Sequence, residues 1–396
     1  MQPFSGVKVL DLTHVLAGPF CTYQLSVMGA DVIKIEPPKE PDMVRPAGGV
    51  ADFNKAGMGL SYLTQNANKR AITLDIKTPK GQAILKRLAA TADVLVENYR
   101  AGALAKLGLG YDDLSKLNPR LIYCSMTGFG QTGPKGGQTA YDNVIQAASG
   151  LMTLSGEPGT KPYKVGPPVL DYGSGAMAAY AVACALFQRT RTGKGQRIDA
   201  SMLDSAIMLM ASTVIDYMNG GGMPKLSGND SPNAGYSCYE TKDGLLMIGA
   251  YTTGQHARLW KALGKPEMGG NLKGLTDIDA AHDSHAEALK DILKTKTADE
   301  WAKQLRAAGL PAERVLKLDE AMAQEQLKHR GVFHTIPKMP GLEKDITVPV
   351  ASFTYAHGGP SIRSAPPKFG EHTDEVLGGL GYGAEDIKAL RKEGIV

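Results

Sequence analysis

The sequence lacks the features that mark several large classes of protein. Its 396 residues carry a net charge of only +4, which is not the concentrated basic surface of a nucleic-acid-binding protein. We find no apolar run of the ~18 residues that a membrane span needs, and the N-terminus has no basic segment followed by a long apolar one. These absences predict a cytoplasmic protein with neither nucleic acid nor membrane as a partner.

Several motifs of known chemistry are also missing. The four cysteines are scattered without a CxxC pair, so neither a disulfide framework nor a zinc site is indicated. The chain has no GxxxxGK[ST], HExxH or GxSxG motif, which removes the main support for P-loop enzymes, zinc proteases of that type and serine hydrolases. A GxGxxG pattern occurs at 128–133, but Pro134 follows it where a dinucleotide site needs the start of a helix.

What the sequence does contain is an alternation of short apolar runs and helical patterns. Parallel strands joined by helices give this alternation, and ligands then bind at the carboxyl ends of the strands. We therefore predict a doubly wound α/β domain. The predicted strands are 6–14, 31–38, 70–77, 93–99 and 120–130, and the predicted helices between them are 17–30, 78–92 and 112–119.

The remainder of the chain predicts two long helices and a second domain. The helices cover about 174–191 and 197–217, and a stretch rich in Gly, Pro, Ser and Asn follows at 218–236. A smaller α+β pattern comes next. The predicted domains are a large one over 1–217, a linker and small α+β domain over 218–325, and a return to the large domain over 326–396.

Two residues at predicted strand or helix ends are candidates for function. His14 ends the first strand, where a structural and a functional histidine are equally compatible with its position. Asp171 lies between the apolar turn PPVL and a small-residue helix, so it either caps that helix or performs chemistry. Ser174 is the better cap for a helix that starts near Gly175, which leaves Asp171 free at the ligand edge.

The sequence resembles the class III coenzyme A transferases, the CaiB/BaiF group of formyl-CoA and carnitine-CoA transferases that also contains α-methylacyl-CoA racemase. The resemblance covers nearly the whole chain in nine ordered blocks. They are GVKVLDLTHVLAGPFC, GADVIKIEPP, NKRAITLDIKTPKG, VLVENYRAGALAKLGLGYDDL, SMTGFGQTGP, AYDNVIQAASGLM, VGPPVLDYGSG, RTGKGQRIDASMLDSA and GEHTDEVL.

The resemblance implies a fold and an activity. It implies a Rossmann-like large domain, a small domain and a homodimer of two interlocked chains, which fits the very apolar helix around 200–215. The implied activity moves coenzyme A from an acyl-CoA to a carboxylic acid. Coenzyme A is then a substrate, and neither a metal nor a tightly bound cofactor is expected.

The resemblance also implies roles for individual residues, of which Asp171 as nucleophile is the central one. The residues implied for the coenzyme A site are His14, Val15, Ala17, Leu74 near the adenine, Asn98, Tyr99, Arg100 and Lys106, and we expect Lys135 to be a further contact for the anionic ligand. Those implied for the acyl group and a lid over 227–236 are Leu16, Tyr141, Asp142, Gly173, Asn233 and Gly235.

A carboxylate suits thioester exchange because it forms an anhydride, which keeps the acyl group activated. At a reference pKa of ~3.9, Asp171 is expected to be ionised at neutral pH. Backbone N–H groups around Gly173 and Gly175 are expected to stabilise the developing oxyanion. A lid is expected to exclude water, which would hydrolyse the anhydride.

Some positions depart from the family pattern. The lid segment has fewer glycines than that of formyl-CoA transferase, Leu16 stands in place of a glutamine, and Pro37 replaces a basic residue. A substrate other than formyl or oxalyl is therefore expected, and the family's habits suggest a small dicarboxylate such as succinate. A racemase is one alternative, although Tyr141 stands where that branch has a histidine. A non-catalytic coenzyme A-binding protein is another, although Asp171 is present.

Overall fold

A six-stranded parallel sheet carries the larger part of the chain. Its strand order is β3-β2-β1-β4-β5-β6, which is the order of a doubly wound dinucleotide-binding sheet. The mixed α/β architecture predicted from the alternating pattern is thereby confirmed. The sheet strands are β1 (Lys8–Leu12), β2 (Asp31–Glu36), β3 (Lys69–Thr73), β4 (Val94–Glu97), β5 (Ile122–Thr127) and β6 (Arg197–Ser201).

Helices cover both faces of this sheet, because side chains alternate between the faces along each strand. Leu10 and Leu95 pack on one face against α4, α6, α17 and α18, whereas Val9 and Val94 pack on the other against α1 and α8. The helices of the chain are α1 (Ala17–Val27), α2 (Ala51–Lys55), α3 (Leu60–Leu63), α4 (Pro79–Ala89), α5 (Ala103–Lys106), α6 (Tyr111–Leu117), α7 (Asp142–Ser149), α8 (Val169–Thr192), α9 (Met202–Leu209), α10 (Ala211–Met218), α11 (Thr253–Ala262), α12 (Leu275–Ala280), α13 (His282–Leu293), α14 (Ala298–Ala307), α15 (Leu318–Met322), α16 (Glu325–Arg330), α17 (Thr373–Gly379) and α18 (Ala384–Lys392).

The computed structural model describes residues 1–339 and 342–396, which form two compact units. The larger unit comprises 1–152, 164–223 and 328–396, and the smaller comprises 153–163 and 224–327. The segment 153–163, which the sequence assigned to the large domain, thus belongs to the smaller unit.

The smaller unit is built on an antiparallel sheet of order β7-β8-β9, against which Trp260 and Trp301 are buried. A two-stranded antiparallel ribbon, β10-β11, belongs to the larger unit. These strands are β7 (Cys238–Glu240), β8 (Leu245–Ile248), β9 (Ala312–Arg314), β10 (Phe333–Ile336) and β11 (Ile346–Pro349).

The helix predicted over 197–217 is wrong in its first turn and its continuity. Residues 197–201 instead form β6, which pairs in parallel with β5 at the edge of the sheet. The short segment RIDAS alternates polar and apolar residues, as a strand does, but the apolar run after it dominates the local pattern. Two helices, α9 and α10, follow in place of one.

Helix α8 is the longest in the described chain and starts earlier than predicted, at Val169. By length and composition it could cross a membrane, with a mean hydropathy of 1.3 over 18 residues, so the expectation that no segment is so apolar is wrong. Within the structure, α8 packs closely along α1. A Cβ added to Gly175 would lie 2.6 Å from the Ala17 carbonyl oxygen, so the small residues of α8 serve this close approach.

Candidate active site

The loops after β1, β4 and β5 surround a cavity of about 550 Å³ at the carboxyl edge of the sheet. Parallel strands present these ends at one edge, and ligands of such sheets bind where the strand order reverses, here between β1 and β4. The cavity is lined by His14, Val15, Leu16, Ala17, Lys77, Asn98, Tyr99, Arg100, Ala101, Ala103, Met126, Thr127, Gly128, Gly137, Gln138, Thr139, Ala140, Tyr141, Asp171 and Met202.

A pair of hydrogen bonds joins the two loops at the point of reversal. The His14 main-chain N–H donates to Asn98 Oδ1 at 3.0 Å, and Asn98 Nδ2 donates to the His14 carbonyl oxygen at 2.8 Å. The His14 ring packs edge-on against Tyr99, with 5.7 Å between the ring centroids. Burial lowers the pKa of His14, which favours the neutral imidazole at neutral pH.

A second cavity of about 400 Å³ shares three residues with the first, namely Val15, Leu16 and Asp171. Its other lining residues carry no formal charge. They are Val44, Gly48, Gly49, Leu60, Ser61, Thr64, Gln65, Pro168 and Tyr172. Asp171 is therefore the charged side chain that both cavities reach.

Asp171 lies inside the first turn of α8 and does not precede the helix as expected. Ser174 is buried within the helix, so the expected Ser174 cap is wrong. The free N–H groups of a helix are its first four. Here Val169 and Tyr172 donate to the carbonyl oxygens of Pro167 and Pro168, and the other two N–H groups are bonded to a side chain.

That side chain is Asp142, at the start of α7. Its Oδ2 accepts from the main-chain N–H groups of Leu170 at 2.7 Å and Asp171 at 3.0 Å. Gln146, one turn later on α7, donates to Asp142 Oδ1 and accepts from the Val165 N–H at 2.8 Å. Asp142 thus caps α8 from a neighbouring helix and fixes the main chain of the candidate nucleophile.

The expected oxyanion donors at Gly173 and Gly175 are not supported, because both residues lie beyond the first four positions of α8, where N–H groups bond within the helix. Both glycines instead allow close packing. A Cβ on Gly173 would lie 2.9 Å from Leu209 Cδ1 on α9, and one on Gly175 would meet α1.

The Asp171 carboxyl group is not the readily ionised acid that its reference pKa predicts. Burial raises its pKa to about 7, with a further contribution from the neighbouring Asp142 carboxylate. Asp142 binds the main chain of Asp171 and also repels its side-chain charge. The Asp171 carboxyl group therefore titrates near neutral pH, well above the range of an ordinary aspartate.

The structure brings most of the predicted ligand residues to the cavity, and five of them lie outside its lining elsewhere in the larger unit, namely Leu74, Lys106, Lys135, Gly173 and the α8 cap Asp142. Leu74 is 1% exposed in the core beneath α4, and its place near the adenine stays a prediction. Lys106 and Lys135 are exposed and outside the lining, and Gly173 is within α8. Asn233 and Gly235 belong to the smaller unit, where Asn233 Oδ1 accepts from the Gly235 N–H at 2.9 Å, and their role in a lid stays a prediction.

Sequence reasoning missed two polar residues of this site. Lys77 lines the larger cavity and faces Glu40, with 3.3 Å between Lys77 Nζ and Glu40 Oε2. Its position just after β3 at the ligand edge was the available signal. Gln146 is the second missed residue. Its spacing of four residues from Asp142, which places both side chains on one face of α7, was the available signal. Among the described residues, no group of three or more His, Cys, Asp or Glu side chains could hold a metal ion.

The fold and the site define a doubly wound α/β protein with a half-buried carboxyl group on the wall of a cavity at the point where the strand order reverses. The model of the CoA-transferase family III matches residues 4–373. The chain belongs to this family, and it is an enzyme of the transferase class.

Characterised relatives match along almost the full chain. A succinate–glutarate CoA-transferase of Agrobacterium fabrum is 36% identical, and the match covers 96% of each chain. A human succinyl-CoA:glutarate CoA-transferase is 35% identical over 100% of this chain and 90% of its own length. Among solved structures, a CAIB/BAIF family protein of Brucella suis is 33% identical with a TM-score of 0.81, covering 96% of this chain and 99% of that one.

Proposed function

We propose that the enzyme transfers coenzyme A from a small dicarboxylyl-CoA thioester to a carboxylic acid, with Asp171 as the covalent carrier. The observation that carries this proposal is the position of Asp171 on the wall of both cavities. The larger cavity is assigned to coenzyme A, and the smaller one, which has no charged lining residue besides Asp171, to the acyl group and the incoming acid.

The chemistry proceeds by two exchanges at the same carboxyl group. The ionised Asp171 attacks the thioester carbonyl, so that the C–S bond breaks and an acyl-aspartyl anhydride forms with release of the thiolate. The thiolate then attacks the aspartyl carbonyl, which expels the donor acid as a carboxylate and leaves an aspartyl-CoA thioester. The acceptor carboxylate then attacks the aspartyl-CoA carbonyl, which releases the thiolate and forms a second anhydride. The thiolate attacks the acceptor's acyl carbon, which forms the product thioester and frees the Asp171 carboxylate.

The neighbouring groups support this role in two ways. Asp142 Oδ2 accepts hydrogen bonds from the main-chain N–H groups of Leu170 and Asp171, which holds this part of the main chain in place and keeps the Asp171 carboxyl group oriented. The raised pKa means that the conjugate base is more basic than an ordinary aspartate, and a more basic carboxylate is a better nucleophile once ionised.

The names of the relatives support dicarboxylates as substrates. Succinate and glutarate occur in the names of the Agrobacterium and human enzymes. The hydroxyl group of Ser61 is a polar group of the smaller cavity that suits the far carboxylate of such an acid. Coenzyme A acts as a substrate here and not as a tightly bound cofactor.

The test is to incubate the protein with succinyl-CoA and a panel of carboxylic acids and to identify new thioesters by mass spectrometry. Glutarate is expected to yield glutaryl-CoA, and the intact protein should carry a covalent coenzyme A adduct. Asp171→Ala should remove both signals, whereas Asp112→Ala, on the exposed surface of α6, should keep both. Loss of α-proton stereochemistry without exchange would instead favour the racemase, and coenzyme A binding without exchange a non-catalytic protein.

A further inference from the structure

The turn between β1 and α1 has an unusual backbone at Val15. Val15 has a φ of +70°, in the left-handed region where a β-branched side chain is strained. Such strain persists only where the surroundings impose it, and it is concentrated at functional sites. Val15 and the adjacent Leu16 line both cavities that meet at Asp171.

Two buried side chains hold both polar groups of the Val15 main chain. The Val15 N–H donates to Asp42 Oδ1 at 3.0 Å, and Gln65 Nε2 donates to the Val15 carbonyl oxygen at 3.1 Å. Gln65 is fully buried, and it also donates to the Ser61 carbonyl oxygen at 2.7 Å. The left-handed turn is therefore fixed from both sides.

Asp42 is itself fixed by a buried lysine. Lys34 Nζ lies 3.0 Å from Asp42 Oδ2, and both side chains are fully buried. Lys34 also donates to the carbonyl oxygen of Thr13, two residues before Val15, at 2.8 Å. Burial alone would lower the pKa of Lys34, but the neighbouring carboxylates, Asp42 foremost, raise it above its ordinary value, so the ammonium stays charged and paired.

We propose that Asp42 and Gln65 are positioning residues that hold Val15 in its left-handed conformation, and that this conformation sets the wall between the coenzyme A cavity and the acyl cavity. The assignment of the two cavities to coenzyme A and to the acyl group rests on the proposed transferase function. Neither Asp42 nor Gln65 takes part in a chemical step of the proposed reaction. Their effect on the reaction passes through the backbone of Val15.

Gln65 can be tested with a double-mutant cycle against Val15. Gln65→Met removes the amide at nearly constant shape, and Val15→Gly provides a residue that adopts φ +70° without strain. Asn118→Leu is the matched control, because Asn118 is a buried amide of the larger unit that donates to two main-chain carbonyl oxygens, those of Ala89 and Ala92, away from both cavities.

Gln65→Met is expected to raise the KM for the acyl-CoA by about tenfold and to speed hydrogen exchange of residues 13–17. In the Val15→Gly background the same substitution should have less than about a third of that effect, because glycine needs no restraint. An equal effect in both backgrounds would mean that Gln65 acts by touching substrate or by supporting Ser61, and would overturn its proposed role. The role would also be overturned if Gln65→Met and Asn118→Leu changed the KM and the hydrogen exchange of residues 13–17 to the same extent.

Asp42 needs variants that do not leave a buried lysine unpaired. Two double variants remove both charges together. Lys34→Met with Asp42→Asn keeps a side-chain oxygen that accepts from the Val15 N–H, whereas Lys34→Met with Asp42→Leu removes that acceptor. Only the leucine pair should lose exchange protection at residues 13–17. Equal protection in the two pairs would refute the role of Asp42. Because hydrogen exchange needs no activity, an inactive wild type would refute the transferase proposal and leave this test intact.

Discussion

At the scale of single residues, the proposed role of Asp171 together with its raised pKa predicts how the reaction depends on pH. Only the ionised carboxylate attacks a thioester, and its pKa is about 7 in the free protein. We expect kcat/KM to rise about tenfold per pH unit below 7 and to level off above it, since kcat/KM reports groups of the free enzyme. Initial rates with succinyl-CoA between pH 5.5 and 8.5 measure this. A flat profile over that range would contradict the raised pKa.

Asp142 has two opposing effects on the same residue, and one substitution separates them. Asp142→Asn keeps an oxygen to accept from the main chain of Leu170 and Asp171 but removes the negative charge that raises the pKa of Asp171. The midpoint of the pH profile is therefore expected to move to lower pH. As control, Asp112→Asn removes an exposed carboxylate and should leave the midpoint in place. An unmoved midpoint in Asp142→Asn would show that burial alone sets the pKa.

The same carboxyl group costs stability at high pH. The pKa of Asp171 is about 7 in the folded chain against 3.8 for the unfolded reference, so between these values the folded state binds more protons. The free energy of unfolding then falls as the pH rises through this range. Asp171→Asn should remove that loss. The free energy of unfolding of the variant minus that of wild type should therefore be larger at pH 8 than at pH 4, by on the order of 1–3 kcal/mol. Urea denaturation at both pH values measures the difference, and equal differences would contradict it.

At the scale of elements, the packing of α8 on α1 sets where Asp171 stands. A Cβ on Gly175 would meet the Ala17 carbonyl oxygen at 2.6 Å, so Gly175→Ala must push the two helices apart. We expect a loss of about 1–3 kcal/mol in the free energy of unfolding, together with lower kcat. Gly378→Ala is the control, because a Cβ there meets nothing within 4 Å in α17, and it should be neutral or slightly stabilising.

Local sequence patterns were sufficient to predict some helices and strands and not others. Thr78 and Pro79 predict the start of α4, and Thr78 does cap it by accepting from the Gly81 N–H. The start of α8 could not be predicted in this way, because its cap is Asp142, which comes 27 residues before Val169 in the chain. For the same reason β6 was missed, since its identity depends on pairing with β5.

At the scale of the whole molecule, the exposed apolar side chains of α8, α9 and α10 predict a second copy of the chain. A monomer rarely exposes so many large apolar groups on consecutive elements. Light scattering should give twice the mass of the chain, and Met208→Glu should weaken the dimer, whereas Leu117→Glu on α6 should not. A monomeric wild type would contradict this. The side chains are Met177, Tyr180, Phe187, Ile207, Met208, Leu209, Ile215, Tyr217 and Met218.

The sequence by itself determined the α/β class, the family and the residues at the carboxyl edge of the sheet, such as His14, Asn98 and Asp171. Hydrophobic periodicity and ordered motifs are properties of neighbouring residues, so they can be read along the chain. A cytoplasmic location stays a prediction from composition alone.

Only the tertiary structure decided the chemical state and the surroundings of these residues. The pKa of Asp171, its cap from Asp142 and the strained turn at Val15 between Asp42 and Gln65 all depend on groups 27 to 50 residues apart in sequence. Burial and electrostatic repulsion act through space and not along the chain. The sequence could therefore name the candidate nucleophile, but only the fold shows that burial and the Asp142 carboxylate raise its pKa to about 7.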